Sequence, residues 1–199
     1  MNNILNIAVV GLGQIGIYLL NELNNKKKEI ELKTGKKINV VAVSAKNINK
    51  KRQFKVNKKI FFKNPLEIFN KKKVDILFEA IGLSGGISKR VVETALKKKI
   101  HVITPNKALI SKHGNQLAKL AEDNNVNLEF EASVAGGIPI LGSIKDGLAT
   151  NKISKVYGIL NGTSNYILSE MENSNQSFKD VLKKAQKLGY AEPGNSKLD

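Results

Sequence analysis

Three glycines near the N-terminus have the spacing G-x-G-x-x-G, in the run Gly11-Leu12-Gly13-Gln14-Ile15-Gly16. Between a strand and a helix, the first glycine of such a run permits a tight turn. The second lets the backbone approach a pyrophosphate, and the third allows close helix–strand packing. The helix N-terminus then offers its N–H groups to the negative charge. We therefore expect Gly11, Gly13, Gln14, Ile15 and Gly16 to bind a dinucleotide cofactor.

The end of the second predicted strand carries no acidic residue. NAD-binding units usually place a carboxylate there, which binds the 2′-hydroxyl of the ribose. This chain has Ser44-Ala45-Lys46-Asn47 instead. Lys46, helped by Lys50 or Arg52, can meet a 2′-phosphate. The pattern favours NADP over NAD, and the missing acid is the stronger half of that argument.

Lys107 follows another predicted strand, in the run Thr104-Pro105-Asn106-Lys107. Open α/β sheets bind their ligands beyond the carboxyl ends of the strands. A lysine at this position can orient a carbonyl substrate, contact the nicotinamide side or help to carry protons. A solvated loop lysine is the alternative. The position of Lys107 alone favours neither the functional interpretation nor this one.

Three later segments also carry polar groups in glycine-containing turns. Glu131 precedes the glycine-rich run Val134–Pro139, whose freed carbonyls are of the kind that hard cations accept. From the residues alone, a structural strand-to-helix corner is the favoured interpretation of that segment. Thr163 lies in a turn that is either a helix cap or part of a substrate site. Glu192 follows a helix and can capture a substrate ammonium group or simply be exposed.

Apolar runs alternate with helical patterns through the first two thirds of the chain. This alternation favours right-handed βαβ units and a Rossmann-like, doubly wound parallel sheet of the α/β class. Helices are predicted from the glycine turn to Gly35, from Asn64-Pro65 to Asn70, and over 88–98 and 116–123. Predicted strands are Ile7–Val10, Ile38–Val43, Ile60–Phe62, Val74–Ile81, Ile100–Thr104 and Asn127–Ser133.

The pattern changes after about residue 130, where glycine becomes frequent and Ile153–Leu160 is predicted as a strand between helices. We place a domain boundary there. Residues 1–130 form the predicted NAD(P)-binding domain, and residues 131–199 form a second domain.

The composition narrows the class of protein. The formal net charge of +16 invites a nucleic-acid-binding function. Nearly all of the positive charge is lysine in short runs at helix ends, and Arg52 and Arg90 are the only arginines. A solvated basic surface is therefore favoured over a nucleic-acid partner.

The absence of cysteine excludes disulfides and thiolate sites. Without a membrane-spanning run or a signal peptide, we expect a cytoplasmic location.

Five of these segments, in order, resemble the motifs of homoserine dehydrogenase, and together they are highly specific. The resemblance extends over essentially the whole chain. The first segment is the glycine fingerprint. The others resemble T-x-N-K-x-L, E-A-S/T-V-x-x-G-I/L-P, G-I-x-N-G-T-x-N-Y-I-L and G-Y-A-E-A/P, at Thr104–Leu109, Glu131–Pro139, Gly158–Leu168 and Gly189–Pro193.

The resemblance implies the reversible reduction of L-aspartate 4-semialdehyde to L-homoserine by NAD(P)H, on the route to threonine and methionine. It implies that Lys107 lies at the nicotinamide and substrate, that Glu192 binds the homoserine amino group and that Thr163 lines the substrate pocket. It further implies a monovalent-cation site, such as a sodium site, at Glu131 and the backbones of Val134, Gly136 and Ile138. A homo-oligomer and an α+β substrate and dimerisation domain beginning at residue 131 are also expected.

The chain departs from the family pattern near residue 199. Glu192-Pro193-Gly194-Asn195 replaces the family's E-A-D-P or E-P-D-P turn, and the G-x-D-x-x-x-K segment that carries the main proton-donor lysine does not occur in the 199 residues. We therefore expect a truncated portion that binds dinucleotide with little or no turnover. The alternatives are a non-catalytic dinucleotide-binding protein or remnant, paired with another subunit, and a basic nucleic-acid-binding domain.

Overall fold

The computed structural model of the chain describes residues 3–52, 56–134, 136–158 and 162–190. The chain divides into two compact units, residues 1–133 and 134–199. Among the described residues, none of the helices combines the length and apolar character needed to cross a membrane.

The first unit is built on one sheet of six parallel strands, which lie in the order β3-β2-β1-β4-β5-β6. From β1 the chain crosses outward to β2 and β3, and it then returns to the other side of β1 to form β4. This reversal opens a crevice at the carboxyl ends of β1 and β4. The predicted Rossmann-like, doubly wound sheet is confirmed. Its strands are β1 (Ile4–Val10), β2 (Lys37–Ser44), β3 (Phe61–Phe62), β4 (Ile76–Glu79), β5 (His101–Ile103) and β6 (Leu128–Glu129).

Helices cover both faces of this sheet. Side chains alternate along a strand, so β1 contributes Ile7 and Val9 to one face and Ala8 and Val10 to the other. The first face packs against α1, and the second packs against α3, α4 and α5. Burial on both faces is why the strands are continuous apolar runs in the sequence. These helices are α1 (Gln14–Asn25), α2 (Lys27–Thr34), α3 (Ile68–Lys71), α4 (Ile87–Lys97) and α5 (Lys107–Asp123).

Helix boundaries follow capping groups. One helix was predicted from the glycine turn to Gly35, and the structure has two: α1 ends at Asn25, and α2 begins at Lys27. Gly35 ends α2 in the left-handed conformation expected of a C-terminal glycine, with a φ of 65°. The side chain of Asn64 accepts the N–H of Leu66, and the chain passes through a 3₁₀ turn (Pro65–Glu67) into α3.

Two predicted boundaries near α5 were wrong. Helix α5 begins at Lys107 rather than Gln116, because the side chain of Asn106 accepts the N–H of Leu109 and caps the helix there. The strand predicted over Asn127–Ser133 is only Leu128–Glu129, since β6 pairs with just Val102 and Ile103 of the short strand β5.

The described part of the second unit consists of helices and irregular backbone. A short helix, α7 (Ile140–Gly142), runs into a π turn at Ser143–Gly147. The helix before it, α6 (Glu131–Val134), has only its last residue in this unit. Helices α8 (Gly162–Ser174) and α9 (Phe178–Leu188) pack through Ile167, Val181 and Ala185. Lys184 of α9 donates a hydrogen bond to Glu170 of α8, and this bond raises the pKa of Lys184.

The strand predicted over Ile153–Leu160 was wrong for residues 153–158, which form irregular backbone. A strand needs a neighbour to satisfy its backbone groups, and no strand is present among the described residues of the second unit. Residues 159–160 of that prediction lie outside the described residues.

Leu77 on β4 is fully buried, whereas Leu32 on α2 is 86% exposed. We predict that Leu77→Ala lowers the free energy of unfolding by about 2–5 kcal/mol, because it leaves a cavity in the core. The matched change Leu32→Ala should alter it by less than about 0.5 kcal/mol. Urea denaturation of both variants checks this, and equal losses would contradict the assignment of β4 to the core.

Candidate functional site

The glycine turn is held against two strands by close backbone contacts. The N–H of Gly11 donates to the carbonyl of Ser44 at 2.9 Å. A Cβ atom on Gly11, whose φ is 97°, would lie 2.3 Å from the carbonyl carbon of Ala80, and one on Gly16 would lie 2.0 Å from the oxygen of Gly11. Gly11 and Gly16 are therefore required by the protein's own backbone.

A different explanation is needed for the glycine at position 13. A Cβ added there would meet nothing within 4 Å, so packing does not demand glycine at this position. Gly13 is the N-cap of α1, and no side chain caps that end of the helix. The exposed residues Gln14 and Ile15 form the first turn. An anion placed over Gly13 would therefore meet the N–H groups of this turn and the positive end of the helix dipole.

A cavity of about 830 Å³ opens beside this turn, at the carboxyl ends of β1, β2 and β4. Its wall includes Gly11, Gly13, Lys46, Ala80 and Ile81. The structure thus brings two of the predicted pyrophosphate glycines and the predicted ribose-phosphate lysine to one cavity. Among the described residues, the lining contains one acidic side chain, Glu67, and five cationic ones: Lys46, Lys50, Arg52, Lys63 and Arg90.

Arg52 anchors the loop that follows β2. Its guanidinium donates to the carbonyl of Leu12 at 3.2 Å, which ties this loop to the glycine turn. It also donates to the carbonyls of Asn47, Ile48 and Lys50 at 2.6, 3.2 and 2.9 Å. All four acceptors are neutral carbonyls, so these bonds place no negative charge beside the guanidinium at the cavity wall.

Lys107 is the first residue of α5, and its side chain is exposed. The residues before it are rigidly held, because Thr104 and Asn106 are both buried. The hydroxyl of Thr104 accepts the N–H of Asn106 at 3.1 Å, and the Asn106 side chain caps α5. The turn therefore sets the direction in which Lys107 leaves the carboxyl end of β5.

Glu79, the last residue of β4, is a polar residue of this site that the sequence analysis did not identify. Its side chain is fully buried. The carboxylate accepts the hydroxyl of Thr104 at 2.7 Å and the N–H of Ile81 at 2.8 Å. It links the ends of β4 and β5. The available signal was a charged residue inside the otherwise apolar run Ile76–Ile81.

In the second unit, Thr163 lies in the first turn of α8. Its hydroxyl donates to the carbonyl of Tyr190, and the ring of Tyr190 stacks on that of Tyr166 with centroids 4.8 Å apart. Thr163 is thus bonded to the chain two positions before Glu192. Glu192 itself lies outside the described residues.

The predicted monovalent-cation residues fall on both sides of the division between the units. Glu131 begins α6 and is half-buried, and Val134, Gly136 and Ile138 are exposed. Within the described residues, no group of three or more His, Cys, Asp or Glu side chains could hold a metal ion. That finding does not bear on a site built from backbone carbonyls, so the cation site stays a prediction.

Comparison with known families decides the relationship. A family model described as homoserine dehydrogenase, NAD binding domain, matches residues 11–131, and a second, described as homoserine dehydrogenase, matches residues 139–198. The chain belongs to the homoserine dehydrogenase family. The resemblance inferred from the five motifs is confirmed, and so is the nicotinamide-dinucleotide character of the first unit.

Individual homoserine dehydrogenases match nearly all of the chain. That of Neisseria gonorrhoeae is 43% identical over 187 residues, which cover 94% of this chain and 42% of that protein. The chain thus spans about two fifths of the length of the curated relatives it matches.

Solved structures agree with these matches. A crystal structure of a homoserine dehydrogenase from Thiobacillus denitrificans has a TM-score of 0.83 at 38% identity, over 96% of this chain and 44% of that chain. A hyperthermophilic archaeal homoserine dehydrogenase, solved in complex with NADPH, has a TM-score of 0.76 at 23% identity, over 98% of this chain and 64% of that chain. This last likeness shows a shared fold.

The different surroundings of Gly13 and Gly16 lead to a prediction. Gly13→Ala should weaken dinucleotide binding about tenfold or more, because its methyl group projects into open space that the pyrophosphate needs. Its melting temperature should change little, since the methyl group meets no protein atom. Calorimetric titration with NADPH and thermal melting check this.

Gly16→Ala is the matched control. Its methyl group would collide with the oxygen of Gly11, so this variant should melt at a clearly lower temperature. Unchanged NADPH affinity in Gly13→Ala would contradict a pyrophosphate at this turn.

Proposed function

We propose that the first unit binds NADPH in the cavity beside the glycine turn, as part of an oxidoreductase that interconverts L-homoserine and L-aspartate 4-semialdehyde. The observation that carries this proposal is the cavity itself, in a chain whose family models extend from residue 11 to residue 198. We propose that the second unit belongs to the substrate and dimerisation domain. A cytoplasmic, homo-oligomeric enzyme is the expectation that follows.

The charge of the cavity supports NADP over NAD. In the part of the chain that the structure describes, five cationic side chains and one acidic side chain line it. Ser44, at the end of β2, is followed by Ala45 and Lys46, so no carboxylate is available at this position for a ribose 2′-hydroxyl. A 2′-phosphate adds negative charge, which Lys46 and Arg52 can neutralise through charge-assisted hydrogen bonds. The archaeal relative of the same fold was solved with NADPH.

The residues that act on the substrate are inferred from the family resemblance and from the position of Lys107. The hydride that reduces the aldehyde carbon would come from NADPH when it is bound. As negative charge grows on the carbonyl oxygen, the Lys107 ammonium stabilises it by hydrogen bonding. Glu192 binds the ammonium group of the amino-acid substrate, and Thr163 lines the substrate pocket. Glu131, with the carbonyls of Val134, Gly136 and Ile138, holds a monovalent cation such as sodium.

We predict that Lys46→Ala weakens the binding of NADPH about tenfold, since a hydrogen bond to a charged group contributes about 1.5–3 kcal/mol. The affinity for NADH, which lacks the 2′-phosphate, should hardly change. Lys119→Ala is the matched control, because Lys119 is exposed on α5 and pairs with Asp123. Fluorescence titration with both cofactors checks this, and an equal loss of NADPH and NADH affinity would argue against the 2′-phosphate contact.

The reaction itself is tested with a polypeptide of these 199 residues. We expect NADPH to raise its melting temperature, while NADPH consumption with L-aspartate 4-semialdehyde stays slow. The main proton-donor lysine of the family motif is not among these residues, and a positioned acid contributes roughly 10²–10⁴ in rate.

Two outcomes would overturn parts of this proposal. Turnover at the rate of a complete homoserine dehydrogenase would refute the requirement for the additional lysine. Salt-dependent retention on DNA, together with a melting temperature that NADPH does not change, would overturn the cofactor site in favour of a nucleic-acid-binding function.

A further inference from the structure

Glu79 is a buried acidic residue to which the proposed reaction gives no part. Its side chain is fully buried at the end of β4, and the groups that donate to it are neutral. Burying a carboxylate is costly unless hydrogen bonds compensate for the lost water. Here the donors are the backbone N–H of Ile81, the hydroxyl of Thr104 and the side-chain amide of Asn106, the last at 3.3 and 3.4 Å from the two oxygens.

These donors belong to two different walls of the site. Ile81 lines the dinucleotide cavity. Thr104 and Asn106 form the turn from which α5 and Lys107 begin. Asn106 also donates to the carbonyl of Leu83 at 3.0 Å, and Leu83 lines the same cavity. The carboxylate of Glu79 and the amide of Asn106 therefore connect the cavity wall to the Lys107 turn.

The direction of each hydrogen bond requires an acceptor at position 79. The hydroxyl oxygen of Thr104 accepts the N–H of Asn106, so its single proton is available to Glu79. The amide oxygen of Asn106 accepts the N–H of Leu109, which turns the NH₂ group of Asn106 toward Glu79 and Leu83. A carboxylate accepts at both oxygens. A glutamine would accept at one atom only and would present its own NH₂ group to these donors.

We propose that Glu79 is a positioning residue, which sets Lys107 against the nicotinamide end of the bound cofactor by joining the Lys107 turn to the cavity wall. This inference rests on the proposed function, because it assumes that NADPH binds in the cavity. It concerns the nicotinamide half of the cofactor. In the proposed complex the adenosine half would lie at the loop after β2, and Arg52 anchors this loop through bonds that do not involve Glu79.

The test compares NADPH with 2′,5′-ADP, which lacks the nicotinamide half. In Glu79→Gln, the dissociation constant of NADPH should rise about tenfold, and that of 2′,5′-ADP should stay within about twofold of the original value. Glu29→Gln is the matched control, because Glu29 is exposed on α2 and pairs with Lys33. It removes the same charge without touching the site, and neither dissociation constant should change.

A double-mutant cycle tests the route through Lys107. If Glu79 acts by positioning Lys107, adding Glu79→Gln to Lys107→Ala should weaken NADPH binding by much less than tenfold. Thr104→Val removes the hydroxyl donor while keeping the carboxylate, and it should show the same selective loss of NADPH affinity. This variant carries the test if Glu79→Gln does not fold.

The outcomes separate this inference from the proposed function. If the unmodified chain binds neither NADPH nor 2′,5′-ADP, the proposed function fails and the inference fails with it. If it binds both and Glu79→Gln binds NADPH equally well, only the inference is overturned. An equal loss of affinity for both ligands, with a lowered melting temperature, would assign Glu79 a purely structural role and would also overturn the inference.

Discussion

The backbone of the glycine turn lies directly against the backbone that leaves β4, and the first unit is organised around this contact. The N–H of Ala80 donates to the carbonyl of Val10 at 2.7 Å, so the ends of β1 and β4 are bonded where the chain reverses its direction of crossover. No Cβ atom fits between Gly11 and Ala80. Gly11 and Ala80 both line the cavity, and α1 begins three residues after Gly11. The hydrogen bond from Gly11 to Ser44 joins the end of β2 to the same contact.

Charge is distributed unevenly between the helical surfaces and the cavity. Several acidic residues form exposed i,i+4 pairs with lysines along the helices, as in Glu29–Lys33 and Asp123–Lys119. Such exposed pairs contribute little to stability. They do, however, neutralise lysine charge on the helical surfaces, whereas the described lining of the cavity has five cationic side chains and one acidic side chain. A net charge of +16 is thus compatible with a specific phosphate site.

Features that depend on local pattern could be predicted from the sequence, and features that depend on distant partners could not. The glycine turn and the order of strands and helices were predictable, because a buried parallel strand is an apolar run and the glycine spacing between strand and helix is a local signature. The start of α5 was missed, since the capping role of Asn106 is not visible in the apolar periodicity that marks a helix. The strand expected over Ile153–Leu160 fails over its described part for lack of a pairing partner. Glu79 was missed because its donors, Thr104 and Asn106, are remote in sequence.

The parallel sheet also constrains the order in which the chain can fold. Ile7 of β1 pairs with Ile76 of β4, so one side of the central strand stays without its partner until residue 76 and the rest of β4 have been synthesised. Long-range pairing of this kind is slow, because the intervening loop must be closed before any contact compensates for the lost entropy. On the ribosome, the apolar segment Ile7–Val10 therefore remains open on that side while β2, β3 and their helices emerge. A nascent chain of this type offers a chaperone a binding segment that the finished protein completely hides.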